Sequence, residues 1–415
     1  MQQSINKDRY IPLRKADVIR ACIKHGGLSE TDIQAFSDLC KLIVSTLHFE
    51  YHETLEVLKD NYAPFDPNAD TIEFDKPTPA ILQKQQHIFS ETFVQVLNAA
   101  NFEKVTDQDL QEALQEESLF KVRLAVEFDD FAEVVFYRRG EYQKTEIISK
   151  FLGFKKQQMT FTNYDKVAVY IKFKNAEYFE NKKRNTLHFD PDSTIIKLFQ
   201  NVPKADLEML FPNSEVRMRT LDKVIIGGSA VIGGTIVLVT KLGASLLLVG
   251  GILGYWFGLS NEEITISSKE LLVLGVGTAV LGGFIFKEWS KFKNRKLKFM
   301  KALADNLYFK NLDNNAGVFH HLIDSAEEEE CKEAILAYYF LLVSSEALTS
   351  EQLDTNIEKW FASQFDFEID FEIEDALAKL IRFGIVTLVQ NKYQAIPLLA
   401  AQSKMDETWD DIFSV

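Results

Sequence analysis

The sequence predicts an α+β membrane protein. It has a helical and α+β N-terminal soluble part, a central transmembrane helical hairpin, and a helical C-terminal part ending in a winged-helix-like module. Three observations predict it. Two uncharged runs, residues 242–260 and 271–286, stand mid-chain between basic flanks. The hydrophobic pattern changes near Lys121 from helical spacing to alternation. The tail after Thr349 reads as helix, helix, hairpin.

Composition bounds the functions. With 415 residues there is room for two or three domains, and 46% hydrophobic against 26% charged residues is a globular balance. Asp and Glu number 61 against 46 Lys and Arg, a net charge of −15, which argues against a nucleic-acid partner that would need a basic face. Cys22, Cys40 and Cys331 are scattered and odd in number, so they offer neither a disulfide framework nor a CxxC motif and fit a reducing compartment. Residues 1–27 lack the apolar run of a signal peptide and the acid-poor look of a transit peptide. The expectation is a chain that starts on the side where it is made.

Residues 1–120 read as helices. One spans 16–24 and stops at Gly26-Gly27. Ser29 caps the next, with Asp32 three residues on, and helical periodicity continues over 33–59. A Pro/Asp-rich connector fills 62–79, and further helices cover 80–99 and 107–118, the last capped by Thr106. His48 and His52 lie at i and i+4, a spacing that can bind zinc. A zincin would need Glu beside the first His, where Phe49 stands, and no third ligand is in reach by sequence, so the pair reads as a solvated helix face.

Residues 121–212 read as an α+β region. Strands are expected over 122–128, 132–138, 159–162, 166–174 and 194–200, with Gly140 at a turn and a short helix over 203–210.

Residues 224–289 form the expected membrane region, with spans at 242–260 and 271–289 and a re-entrant or extra segment at 224–240. Arg217, Arg219, Lys223 and Lys241 precede the second run, and Lys287, Lys291, Lys293, Arg295, Lys296 and Lys298 follow the third. The positive-inside rule places both flanks on one side, which requires an even number of crossings. The small residues Gly250, Gly254 and Gly258 recur every four positions, as do Gly275, Ala279 and Gly283. Such stripes, a glycine zipper, pack the two helices on each other or drive self-association. No ionisable residue interrupts either run, which argues against an ion pathway. The alternative is a buried core hairpin.

Residues 299–348 are helical, with a break at Asp313-Asn314-Asn315 and Gly317. His321, Asp324 and Glu328 share one helix face, and His320, Asp324 and Glu327 a neighbouring one. Such a face suits metal or acid–base chemistry, but the Glu-x-x-His motif of diiron sites is missing. A charged, solvated face beside the apolar stripe of Ala334, Ile335, Tyr338 and Leu342 explains it as well.

Residues 349–415 suggest a winged helix: helices over 353–365 and 372–383, Gly384 as terminator, and a hairpin of 385–389 with 393–396. Asp366, Glu368, Asp370, Glu372, Glu374 and Asp375 open the second helix and would repel a duplex, so the module reads as one for protein contact or packing. Trp409 and Phe413 in the tail are expected to dock back or to reach a partner.

Several stretches together resemble a family of uncharacterised membrane proteins that includes the mitochondrial transmembrane protein 143. They are Arg9-Tyr10-Ile11-Pro12-Leu13-Arg14, residues 62–67, Tyr137-Arg138-Arg139-Gly140, residues 203–212 and residues 307–342. The resemblance implies no established activity and carries over no catalytic, cofactor or metal residue. Without a transit-like leader, the expected location is a bacterial inner (cell) membrane, multi-pass, with the soluble parts cytoplasmic.

No GxxxxGK[ST], GxSxG or GxGxxG motif occurs. The expected function is partner binding or oligomer organisation, with a lipid bilayer and a protein partner or second copy as partners, no nucleic acid and no cofactor. The alternatives are a membrane-surface enzyme using His320, His321, Asp324, Glu327 and Glu328, or a pore or lipid-handling oligomer.

Overall fold

The computed structural model describes residues 8–69, 71, 74, 77–106, 108–110, 123–150, 155–182, 190–212, 215–217, 247, 250–251, 253, 255–258, 267–365 and 367–412. The chain forms two units: residues 1–113, 128–207 and 310–415 in one, residues 114–127 and 208–309 in the other.

The first unit opens with α1 (Lys15–His25) and α2 (Glu30–Tyr62). Gly26, at φ +103, ends α1 where a side chain would be strained. Ser29 and Asp32 form a reciprocal capping box at the start of α2. Helix α3 (Pro79–Ala99) follows with Thr78 as its cap.

A five-stranded antiparallel sheet comes next. Its order is β1 (Glu103–Lys104), β3 (Phe131–Lys150), β4 (Lys155–Phe173), β5 (Thr194–Pro203), β7 (Asn311–Asn314). Strands β3 and β4 pair from Phe131↔Phe173 out to Lys150↔Lys155, whereas β5 covers β4 only from Asn163 to Lys172. The outer half of the hairpin is therefore a two-stranded ribbon that extends beyond the sheet. Short α4 (Ala176–Asn181) links β4 to β5. In the second unit, β2 (Arg123–Ala125) pairs with β6 (Glu215–Arg217), and α5 spans Ser268–Lys310.

The central helix α6 (Ala316–Val343) organises the first unit. Val318, Phe319 and Leu322 at its start pack with Phe89, Phe93, Tyr170 and Ile196 of α3 and the sheet. Ile335, Tyr338 and Leu341 at its end pack with Phe36, Leu39, Ile357, Leu377 and Met405. The second set brings in α7 (Ser350–Phe365), α8 (Ile373–Arg382), the hairpin β8 (Val386–Val389) and β9 (Lys392–Ala395), and α9 (Leu398–Asp411). Gln390 and Asn391 both take positive φ, the two-residue turn that fits a twisted hairpin.

Several expectations are corrected. Among the described residues no helix is long and apolar enough to cross a membrane. The fold class is thus α+β around an antiparallel sheet, and the transmembrane hairpin, the multi-pass assignment and the inner-membrane location fall with it. The expected span 271–289 lies within α5. Its uncharged part, residues 271–286, is about 24 Å long, short of the roughly 30 Å of hydrocarbon, and Lys287 and Glu288 follow at once. Residues 224–240 and most of 242–260 lie outside the described residues. Gly140 is not a turn but a point inside β3 at φ +71, with Asp165 of β4 packed where a side chain would go. The break before α6 contains a strand, β7, because Asn311–Asn314 complete the sheet edge along β5.

Candidate functional site

Helix α6 carries a run of charged side chains from Asp324 to Glu333, and its first turns decide where they point. Gly317 stands where the Asp313 carboxylate comes so close that no Cβ fits. That carboxylate also takes Nε2 of His321 at 3.4 Å and the Asn314 N–H at 2.8 Å. His321 is therefore paired backwards, across the helix start. His320 and Asp324 are exposed. Glu327 accepts Lys15 Nζ at 2.8 Å and meets His48 Nδ1 at 2.7 Å. Glu328 accepts the Lys15 backbone N–H at 2.6 Å. Of the five residues singled out on this helix, Glu327 and Glu328 thus share Lys15, while His321 faces Asp313.

His48 and His52 do meet one of them. With Glu327, Val44, Phe49 and Trp409 they line a cleft of 610 Å³ between α2 and α9. Burial raises Glu327, but Lys15 and His48 outweigh it and hold the carboxyl below its ordinary value. Among the described residues no group of three His, Cys, Asp or Glu is placed to hold a metal ion.

Sequence reasoning missed the next turn. Glu329, Glu330, Lys332 and Glu333 are all buried. A run of four glutamates reads as solvated, yet Leu322, Ala326, Glu329, Glu333, Leu336 and Phe340 follow one helical stripe, and that spacing was available. These side chains grip the segment before α1. Glu329 accepts the Ile11 N–H at 3.1 Å, and Lys332 donates to the Ile11 carbonyl at 2.7 Å and to Glu329 at 2.8 Å. Asn101 donates to the Arg9 carbonyl at 3.2 Å and to Glu333 at 2.9 Å. Arg139 lies over the Tyr10 ring at 4.3 Å. Burial pushes Glu329 up against the pull of Lys332, and pushes Glu333 well above the usual carboxylate range. Asn101 opposes the second shift, while Glu329, Glu372 and Asp375 add to it.

Two further cavities flank α6. One of 410 Å³ lies among α2, α3, α6 and α8, where Arg382 pairs with Glu50 through two bonds of 2.5 and 2.9 Å and Lys379 pairs with Glu330. The other, of 690 Å³, is walled by Asp8, Tyr10, Gly140, Tyr142, Asp165 and Phe367. Chemically, the charged groups of α6 hold chain segments together. Most of their oxygens are occupied by cations or N–H groups of the chain itself.

The small-residue stripes lie in the second unit. Gly254 is outside the described residues. Gly250, Gly258, Gly275 and Gly283 have open space where a side chain would go, and Ala279 is exposed.

Residues 164–317 match the model of a family described as a protein of unknown function, DUF3754. The match runs from β4 through α5 to the first turn of α6, somewhat over a third of the chain. No solved structure matches.

Proposed function

We propose that the chain is a partner-binding protein and that α5 is its docking element for an acidic, amphipathic helix. The observation that carries this is an exposed seam. Leu272, Val276, Ala279, Gly283 and Phe286 recur in alternate steps of four and three, and Leu297, Met300, Ala304 and Leu307 continue the same register. That spacing keeps one face of a helix toward a partner helix. Leu272 is 68% and Phe286 66% exposed, high values for large apolar side chains.

Charge selects the partner. Between Lys287 and Lys301 the chain has Lys291, Lys293, Arg295, Lys296 and Lys298 besides those two, against one acid, Glu288. Two such helices side by side in parallel would oppose like charges, so an acidic helix fits better than a second copy. The resemblance to the family of the mitochondrial transmembrane protein 143 rests on the sequence alone and leaves the partner open.

Photo-crosslinking through benzoylphenylalanine at Val276, Phe286 or Leu297 in cells tests this. The expected product is one acidic protein, lost at high salt and in Lys291→Glu/Lys293→Glu. Products made only of this chain, or none, overturn the reading.

A further inference from the structure

Residues 8–14 run ahead of α1 as a strap with neither helix nor sheet ladder of its own. Side chains hold it instead. At one end the Asp8 carbonyl accepts the Asp370 N–H at 3.1 Å, and just past the other end Glu328 accepts the Lys15 N–H at 2.6 Å. Midway, Ile11 is 1% exposed, and Glu329 and Lys332 take its N–H and its carbonyl. The Asn101 amide ties the strap to two carboxyls. It donates to the Arg9 carbonyl at 3.2 Å, to Glu333 at 2.9 Å and to Glu329 at 3.5 Å. Glu329 and Glu333 stand one helical turn apart, and Lys332 bonds only to Glu329. Among the described residues no cation is bonded to Glu333, which is 2% exposed.

The neighbouring elements do not supply the missing charge. Glu329 on α6 and Glu372 and Asp375 at the start of α8 are acidic, and Tyr51 of α2 is a phenol. Arg139 of β3, Lys166 of β4 and the Tyr10 hydroxyl act on Glu329. Arg9 of the strap is taken by Glu372 at 2.6 Å. A carboxylate sealed from water among other acids is costly, so Glu333 keeps its proton while the seal holds. We propose that residues 8–14 form a proton-coupled strap, closed over α6 while Glu333 is protonated and opened when Glu333 ionises and draws in water. Burial pushes this carboxyl well above its ordinary 4.5, which fixes the sign. The closed form is favoured fully below the open-state value, and the advantage is lost as pH rises toward the closed-state value. Each pH unit between the two raises the opening equilibrium about tenfold. Opening uncovers the Glu329–Lys332 pair and takes Asp8, Tyr10 and Pro12 out of the wall of the 690 Å³ cavity.

Hydrogen exchange of the full chain tests this, read by mass spectrometry from about pH 5 to about pH 8 and corrected for the intrinsic exchange rate. In the wild type the protection of residues 8–14 is expected to fall by at least about tenfold across that range, while α2 and α7 keep theirs. In Glu333→Gln the fall is expected to disappear, with the strap protected throughout. Glu333→Leu, which also cannot ionise, is expected to behave the same way, and circular dichroism verifies that each variant is folded. Strap protection that does not change with pH in the wild type, that falls equally in α2 and α7, or that falls as steeply in the two variants overturns the proposal. The strap and Glu333 do not touch α5, so the outcome is independent of the partner proposed above.

Discussion

His48 of α2 and Glu327 of α6, 279 positions apart, meet Nδ1 to Oε2 at 2.7 Å, with Lys15 on the other carboxylate oxygen. Two features that were separate in sequence thus form one ion-paired joint among α1, α2 and α6.

Glu327→Gln tests that joint by its pH dependence. The Glu327 carboxyl is held below its ordinary 4.5, so its stabilisation is present above that value and is lost as pH falls through the folded-state value. The variant should melt below the wild type at pH 7 and converge with it as the pH falls through the folded-state value, in thermal melts across the acid range. His48 is 71% exposed, so His48→Ala should cost under about 1 kcal/mol.

Glu333 runs the other way. Its pKa is raised by burial, so the carboxyl favours folding when protonated and costs stability as pH rises above the unfolded value of 4.5. Glu333→Gln keeps an acceptor for Asn101 and removes the cost. Its melting temperature should exceed that of the wild type by a few degrees, more at pH 8 than at pH 5.

Glu329 and Lys332 form a pair in which each side chain is 1% exposed. Lys332→Ala leaves the carboxylate buried without its cation and should cost about 3–5 kcal/mol in denaturant unfolding. Faster amide exchange at Ile11 should accompany it, because Glu329 and Lys332 hold both backbone groups of that residue.

Gly140 and Gly384 share nearly the same φ, +71 and +69, and differ in surroundings. A side chain at Gly384 meets only the flexible stem of Lys404 at 3.3 Å, so Gly384→Ala should cost about 1–2 kcal/mol. At Gly140 it meets Asp165 Cβ at 2.7 Å, next to the β4 backbone, and Gly140→Ala should cost more. Paired unfolding curves compare them.

Helix caps and turn residues made the local elements legible: Ser29 with Asp32, Gly26 and Gly384 all act where the sequence places them. The long hairpin was harder. Gly140 and the polar residues Gln143, Thr145, Thr160 and Thr162 look like loop chemistry, and only the pairing of β3 with β4 makes them a ribbon. The site was legible in part. The exposed charges of α6 were visible as a face, but the buried ones needed Ile11, Asn101 and Arg139 beside them, and these come from distant stretches. The uncharged run at 271–286 misled because run length dominated the reading, and the charges at 287 and 288 were included in the span.

Helix α6 passes through two hydrophobic cores, with Phe319 in one and Tyr338 in the other. Neither core can melt while the helix stays intact over its whole length, so the sheet and the C-terminal helices are bound to a common unfolding event. A protease cut between Val343 and Ser350 would therefore loosen the sheet as well as the tail, and damage at either end would be felt at the other.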